Sequence, residues 1–272
     1  MRCVAILGVP WDEHSSFLRG ASEGPRAFRA ALTSESANKS TETGLDLSDR
    51  SAWRDAGDIT IPESDPLRAI AAIEDGAQQA LRDGAALLSI GGDHAISWPL
   101  VRAHAKLHRG LEILQFDAHP DLYDVFDGDR YSHACPFARI MEERLASRLL
   151  QIGIRTLNEA QRPQVARFGV EQIDMVSWDG ADAVASRVSF DGPVYISLDL
   201  DVLDPAFAPG ISHHEPGGLS VRDVIRIVQR FRGRLVGADI VELNPTRDRD
   251  GVTAMVAAKL AKELIARLST SS

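Results

Sequence analysis

Cysteine is nearly absent from this chain. Only Cys3 and Cys135 occur among 272 residues, which is no disulfide framework and points to a reducing compartment. Basic residues are in deficit, with 30 Lys and Arg against 39 Asp and Glu and a net charge of -9. That balance argues against a general nucleic-acid or anionic-membrane surface and leans toward cationic ligands. No apolar run approaches the ~20 residues needed to cross a bilayer. Met1 to Val9 is too short for a signal sequence with its flanks and reads as a buried strand. A cytosolic location is therefore expected. Internal repeats and low-complexity linkers are also lacking. With 44% hydrophobic and 25% charged residues, the composition is that of a globular protein, read as one domain over residues 1–272.

What is present is a series of short apolar runs: Cys3–Val9, Ala85–Ile90, Leu111–Phe116, Leu149–Ile154, Val194–Leu198 and Leu235–Val241. Glu112 and Gln115 interrupt the third. Runs without polar alternation suit strands covered on both faces, as in a parallel sheet. Helical spacing lies between them, over Pro66–Asp83, after Ser220 and over Thr253–Leu268. Alternating strand and helix predicts an α/β fold with three layers, α/β/α, around a mainly parallel central sheet. Ser34–Ser51 is polar throughout and reads as a long surface loop. It is either a plain connection or a segment that serves the substrate.

Two clusters of alternating polar residues follow apolar runs: Asp117-Ala118-His119-Pro120-Asp121 and Asp199-Leu200-Asp201. In extended chain, every second side chain points the same way, so each cluster aims its ligands at one place from a strand end. Gly91-Gly92-Asp93-His94 follows a third run, and its glycines are expected to let the chain turn sharply. His94, Asp117, His119, Asp121, Asp199 and Asp201 form an oxygen-rich set with imidazole and no thiolate, which suits two Mn²⁺ ions better than structural zinc. Four carboxylates cancel two divalent charges, and a hydroxide between the ions would leave the site slightly negative. Such a site favours a cationic substrate over a phosphate.

Gly91–His94, Asp117–Asp121 and Ser197–Pro205 resemble the three metal motifs of the ureohydrolase (arginase/agmatinase) family. Ser15-Ser16-Phe17-Leu18, Tyr131-Ser132-His133-Ala134, Pro209–Gly218 and Val241-Glu242-Leu243-Asn244-Pro245 are most similar to its plant-type arginases and their bacterial relatives. The resemblance implies how the ligands divide: His94 and Asp121 on one metal, His119 and Asp201 on the other, Asp117 and Asp199 on both. It implies that His133 shuttles protons, that Asp121 assists it, and that Glu242 pairs with a guanidinium, whose planar fork matches a carboxylate. It also implies a homo-oligomer, a trimer or hexamer.

The expected reaction is hydrolysis of L-arginine to L-ornithine and urea. Tyr123 follows the Asp-Ala-His-Pro-Asp run as it does in agmatinases and in plant-type arginases, so agmatine or 4-guanidinobutanoate stays open as substrate. Tyr123, Asn38, His213 and Glu215 are the candidate contacts for the substrate's far end, and Cys135 is a pocket or packing residue. A two-metal phosphoesterase and a metal-stabilised scaffold without turnover are the competing classes. Urea release without phosphate release separates the first, and inactivity on a guanidine panel would favour the second.

Overall fold

The computed structural model describes residues 1–62 and 65–271. Among the described residues, the chain alternates β1 (Val4–Val9), α1 (Gly24–Leu32), β2 (Trp53–Asp58), α2 (Pro66–Leu81), β3 (Ala86–Gly91), α3 (Ser97–Ala105), β4 (Glu112–Phe116), α4 (Pro136–Glu142), β5 (Arg148–Ile152), α5 (Arg162–Phe168), β6 (Glu171–Ile173), α6 (Ala181–Arg187), β7 (Ser189–Asp199), α7 (Val221–Arg230), β8 (Arg232–Val241) and α8 (Val252–Thr270). All eight strands pair in parallel in the order β2-β1-β3-β8-β7-β4-β5-β6.

Strand alternation sorts the core into two halves. Val4, Ile6, Leu88, Ile90, Leu114, Phe116, Ile196 and Leu198 pack toward α1, α6, α7 and α8. Ala5, Leu7, Leu87, Ile113, Leu149, Tyr195 and Val236 pack on the other face, toward α2, α3 and α4. Both faces are covered, which is why the central strands read as continuous apolar runs. The three predicted helices are α2, α7 and α8. The Ser220 hydroxyl and the Asp223 carboxylate form a reciprocal capping box at the start of α7.

Two strands carry no apolar run. β2 and β6 are the sheet edges, and only Trp53 among their nine residues is fully buried. An edge strand faces solvent along one side and needs little hydrophobicity.

The strand order positions the site. β3, β8, β7 and β4 are contiguous, and each of the chemistry-bearing motifs follows the C-terminal end of one of them. β3 leads to His94, β4 to Asp117–Asp121, β7 to Asp199 and Asp201, and β8 to Glu242. In parallel α/β sheets, that edge is where ligands bind.

Candidate active site

His94 emerges from β3 through Gly91 and Gly92. Neither glycine takes a positive φ, so the expected sharp-turn role is replaced by another. A Cβ on Gly92 would lie 1.8 Å from the Trp11 carbonyl oxygen; the residue is small because two backbones touch there. Asp93 then caps a short 3-10 turn, and His94 points inward, fully buried.

Its Nδ1 lies 3.1 Å from Asp117 Oδ2, 3.0 Å from Asp121 Oδ2 and 3.2 Å from Asp199 Oδ2. Among the described residues no hydrogen-bond geometry satisfies that nitrogen. Nε2, by contrast, is fixed. It sits 2.9 Å from Ser197 Oγ, which donates to Asp239 Oδ1 at 2.7 Å. Asp239 also accepts from Ser97 and Tyr195, each at 2.8 Å. Because the Ser197 hydrogen goes to a carboxylate, its lone pair faces His94 and selects the Nε2–H tautomer. That leaves the Nδ1 lone pair to a cation in place of a proton, the arrangement typical of a metal-ligating histidine.

Two groups of donors lie within 4.8 Å of one another: His94, Asp117 and Asp199, and Asp117, His119 and Asp201. Asp117 is common to both, whereas Asp199 falls with the first only. His119 Nδ1 is 2.8 Å from Asp201 Oδ2 and 3.5 Å from Asp117 Oδ1. The six predicted ligands therefore converge, and the donor set fits two hard-to-borderline divalent cations.

The protonation of the cluster carries the same message. Burial alone would lower the pKa values of His94 and His119, but the surrounding carboxylates raise both well above the ordinary imidazole value. Burial and the neighbouring Asp117 charge push Asp121 up to about 6, and burial with Asp201 and Asp117 raises Asp199 well above the carboxylate range. Without cations, protons hold these like charges together. Divalent ions would take over that role.

Among the described residues, Asp121 and Glu242 are two of five non-glycine residues with positive φ, 50° and 67°. For Glu this is an uncommon conformation, and such residues concentrate at functional sites. The bend turns Glu242 into a cavity of about 210 Å³. Its Oε1 accepts from the His94 backbone N–H at 3.0 Å and from His133 Nδ1 at 2.9 Å. Burial opposes a charged His133, but the Glu242 carboxylate outweighs it and raises the imidazole pKa to about 9. Burial would raise Glu242, and His133 instead holds it below its usual value. His133 Nε2 contacts Ser16 Oγ at 2.8 Å.

The cavity is lined by His119, Asp121, Tyr123, His133, Asp199, Asp201, His213, Glu215 and Glu242. Ser16, Thr156, Asn158 and Gln161 also line it, and sequence reasoning did not single out any of these four as contacts. Asn158 Nδ2 donates to the Tyr123 hydroxyl at 2.5 Å. Asn38 is a correction. It lines a different hollow with Lys39, Leu47 and Lys262, and its carbonyl accepts from Lys262 Nζ at 2.6 Å. Lys262 is nine residues beyond Thr253, whose hydroxyl borders the site loop at Gly210; along α8 that is roughly 13 Å toward the opposite end of the sheet. Cys135 is buried at the start of α4 and is absent from the lining residues.

Fold and site together define an α/β protein with a carboxylate–histidine centre suited to two cations, a buried acid–imidazole pair and a small polar cavity. The chain matches the arginase family over residues 2–266. It is 46% identical to "Arginase 1, mitochondrial" of Arabidopsis thaliana, covering 97% of this chain and 81% of that protein. It superposes on the arginase of Medicago truncatula with a TM-score of 0.93 at 43% identity, covering 98% of this chain and 87% of that one. Agmatinase of Chromobacterium violaceum is 34% identical over 96% of this chain and 82% of its own length. The chain belongs to the arginase family and is a hydrolase acting on amidino groups. The cytosolic expectation is overturned: the similar plant arginases are named mitochondrial or chloroplastic/mitochondrial. Few cysteines report a reducing environment, and that does not single out one compartment. Among the described residues no helix is long and apolar enough to cross a membrane.

Proposed function

We propose that this chain is an arginase that hydrolyses L-arginine to L-ornithine and urea, with residues 1–272 forming one catalytic domain. The observation that carries the reading is Glu242. A buried carboxylate held by His133 and the His94 backbone faces a cavity that also contains Asp121, Asp199 and Asp201. That is a place for a planar cation, and the similarity to plant arginases supports arginine as its owner.

His94, Asp117, His119, Asp121, Asp199 and Asp201 would hold two Mn²⁺ ions. When bound, the pair supplies Lewis-acid charge that acidifies water and stabilises developing negative charge. Glu242 binds the guanidinium and orients its carbon toward the carboxylate cluster. His133 carries a proton at neutral pH and delivers it to the leaving amine nitrogen, which must be protonated to depart. Asp121 passes a proton from the attacking water toward that nitrogen. Tyr123, His213 and Glu215 surround the substrate's far end. We further propose that the chain assembles as a trimer or hexamer of itself, testable by light scattering in solution.

A second reading, agmatinase, is favoured by one observation, which counts against 4-guanidinobutanoate as it does against arginine because both carry a carboxylate. No Lys or Arg is among the residues lining the cavity, while Glu215 is. An α-carboxylate would therefore depend on neutral donors, and Asn158 and Thr156 are placed to serve. Urea release with Mn²⁺, compared by kcat/KM for arginine, agmatine and 4-guanidinobutanoate, decides between them. Arginine preference is expected, and a clear agmatine preference overturns the choice.

A further inference from the structure

Three glutamines stand side by side across one edge of the sheet. Gln115 in β4, Gln151 in β5 and Gln172 in β6 are in register. Their side chains form a continuous ladder. Gln172 Nε2 donates to Gln151 Oε1 at 2.7 Å, and Gln151 Nε2 donates to Gln115 Oε1 at 2.6 Å. Gln115 Nε2 donates to Asp117 Oδ2 at 2.7 Å.

The direction of this ladder is forced by its inner end. Asp117 is a carboxylate and only accepts, as do the carbonyls of His119 and Pro120, which lie 3.3 Å from Gln115 Nε2 and 2.7 Å from Gln151 Nε2. Each amide must therefore turn its NH₂ toward the site and its oxygen toward the sheet edge. A flip of any rung would set donor against donor or acceptor against acceptor. Gln115 and Gln151 are fully buried, so neither can exchange its partner for bulk water. Aligned amide dipoles polarise one another, so each rung strengthens the next.

We propose that the Gln172–Gln151–Gln115 ladder is a positioning relay for Asp117, the one carboxylate common to both candidate cation groups. It holds Oδ2 in place and stabilises its charge from a partly exposed edge residue two strands, roughly 10 Å, away. The relay rests on the two-cation reading of the site. None of its residues touches substrate. Because Asp117 is shared, losing the relay weakens both cations together.

The test titrates Mn²⁺ into the metal-free full chain, following free Mn²⁺ by electron paramagnetic resonance and the coupled-pair spectrum of the loaded protein. Gln115→Met keeps length and removes the donor. It is expected to weaken both Mn²⁺ affinities by about 10–100-fold, to alter the coupled-pair signal, and to leave the metal-free melting temperature near wild type. Gln172→Met, at the edge, is expected to shift both affinities in the same direction by a few-fold, and it decides the matter if Gln115→Met does not fold. Unchanged affinities in the folded variants overturn the relay. So does a loss that tracks the metal-free melting temperature. A wild-type chain that takes up no Mn²⁺ overturns the metal reading and the relay with it, a result distinct from wild-type uptake with insensitive variants.

Discussion

Two polar regions of this molecule both carry closely spaced acids and differ in what their polar groups do. Ser34–Ser51 is rich in Ser and Thr with Asp and Glu between them, and the loops beyond β4 and β7 are rich in Asp and His. In the first region several short side chains cap the backbone a few residues on. Asn38 accepts from Ser40 N–H, Asp46 from Ser48 and Asp49 from Ser51, each at 2.8 Å, and Thr41 accepts from Leu45. Glu42 pairs with Arg222 and Lys259. In the second region carboxylates face other carboxylates across two imidazoles. The pKa values diverge accordingly. The Ser48 and Ser51 backbone N–H groups lower Asp46 and Asp49, and the Arg222 hydrogen bond lowers Glu42 to about 2. Burial and like charge raise Asp121 and Asp199. Local satisfaction marks a loop that holds itself together. Buried repulsion marks a place built for something else.

The comparison breaks hardest at the cluster. Asp121→Ala or Asp201→Ala removes one carboxylate from a set of four, and urea release from arginine with Mn²⁺ should fall by about a thousandfold or more. Retained turnover in either variant would remove that residue from the chemistry and sink the metal assignment.

Glu242→Gln comes next. Turnover should drop by about a hundredfold, and the pKa of His133, followed by NMR titration, should fall from about 9 to about 6.5 or below. The raised histidine stabilises the fold below about pH 6.5 and loses that contribution as pH rises through 9. The lowered carboxylate stabilises above about pH 4.5 and loses its contribution as pH falls through its depressed value. The stability gap between wild type and variant should therefore be widest between about pH 4.5 and 6.5. A His133 that still titrates near 9 in the variant would show that Glu242 is not its partner.

Legibility in the sequence follows the same division. The central strands were readable because both faces are covered, and the ligand motifs because alternation after a strand end leaves few other uses for Asp and His. The edge strands β2 and β6 were not, since solvent on one side removes the apolar signal. Gln115 read as a blemish in β4, although its amide serves Asp117; a hydrogen bond to a neighbour two residues away has no periodicity to betray it. Asp239 and Ser197 were hidden inside apolar strands, and Ser16 and Asn158 became neighbours of His133 and Tyr123 only through folding. Polarity, the only sign at Asn38, does not distinguish the two kinds of polar region.

On the loop side effects should be small. Glu42→Ala removes a largely exposed ion-pair network, about 0.5–1 kcal/mol, lowering the melting temperature by about 1–4 °C with kcat/KM unchanged. Glu42 sits at about 2 in the fold against about 4.3 unfolded. Its contribution is therefore present above about pH 4.3 and disappears as pH falls through 2, so the variant and wild type should melt together in strong acid. A variant that loses activity at neutral pH would tie this loop to the cavity.

The smallest effect belongs to Asn38→Ala. Its side chain makes one local bond, to the Ser40 backbone, and its own carbonyl, which the substitution leaves intact, receives Lys262. Losing a cap of this kind costs about 0.5–1 kcal/mol. Arginine hydrolysis should stay within about twofold of wild type in both kcat and KM, because nothing connects the residue to Glu242 or to the carboxylate cluster across the length of α8. A tenfold rise in KM would contradict that separation. It would mean that the Ser34–Ser51 loop reaches an active site after all, either its own or that of a second copy of the chain, and that a polar group already satisfied at home can still be recruited for binding.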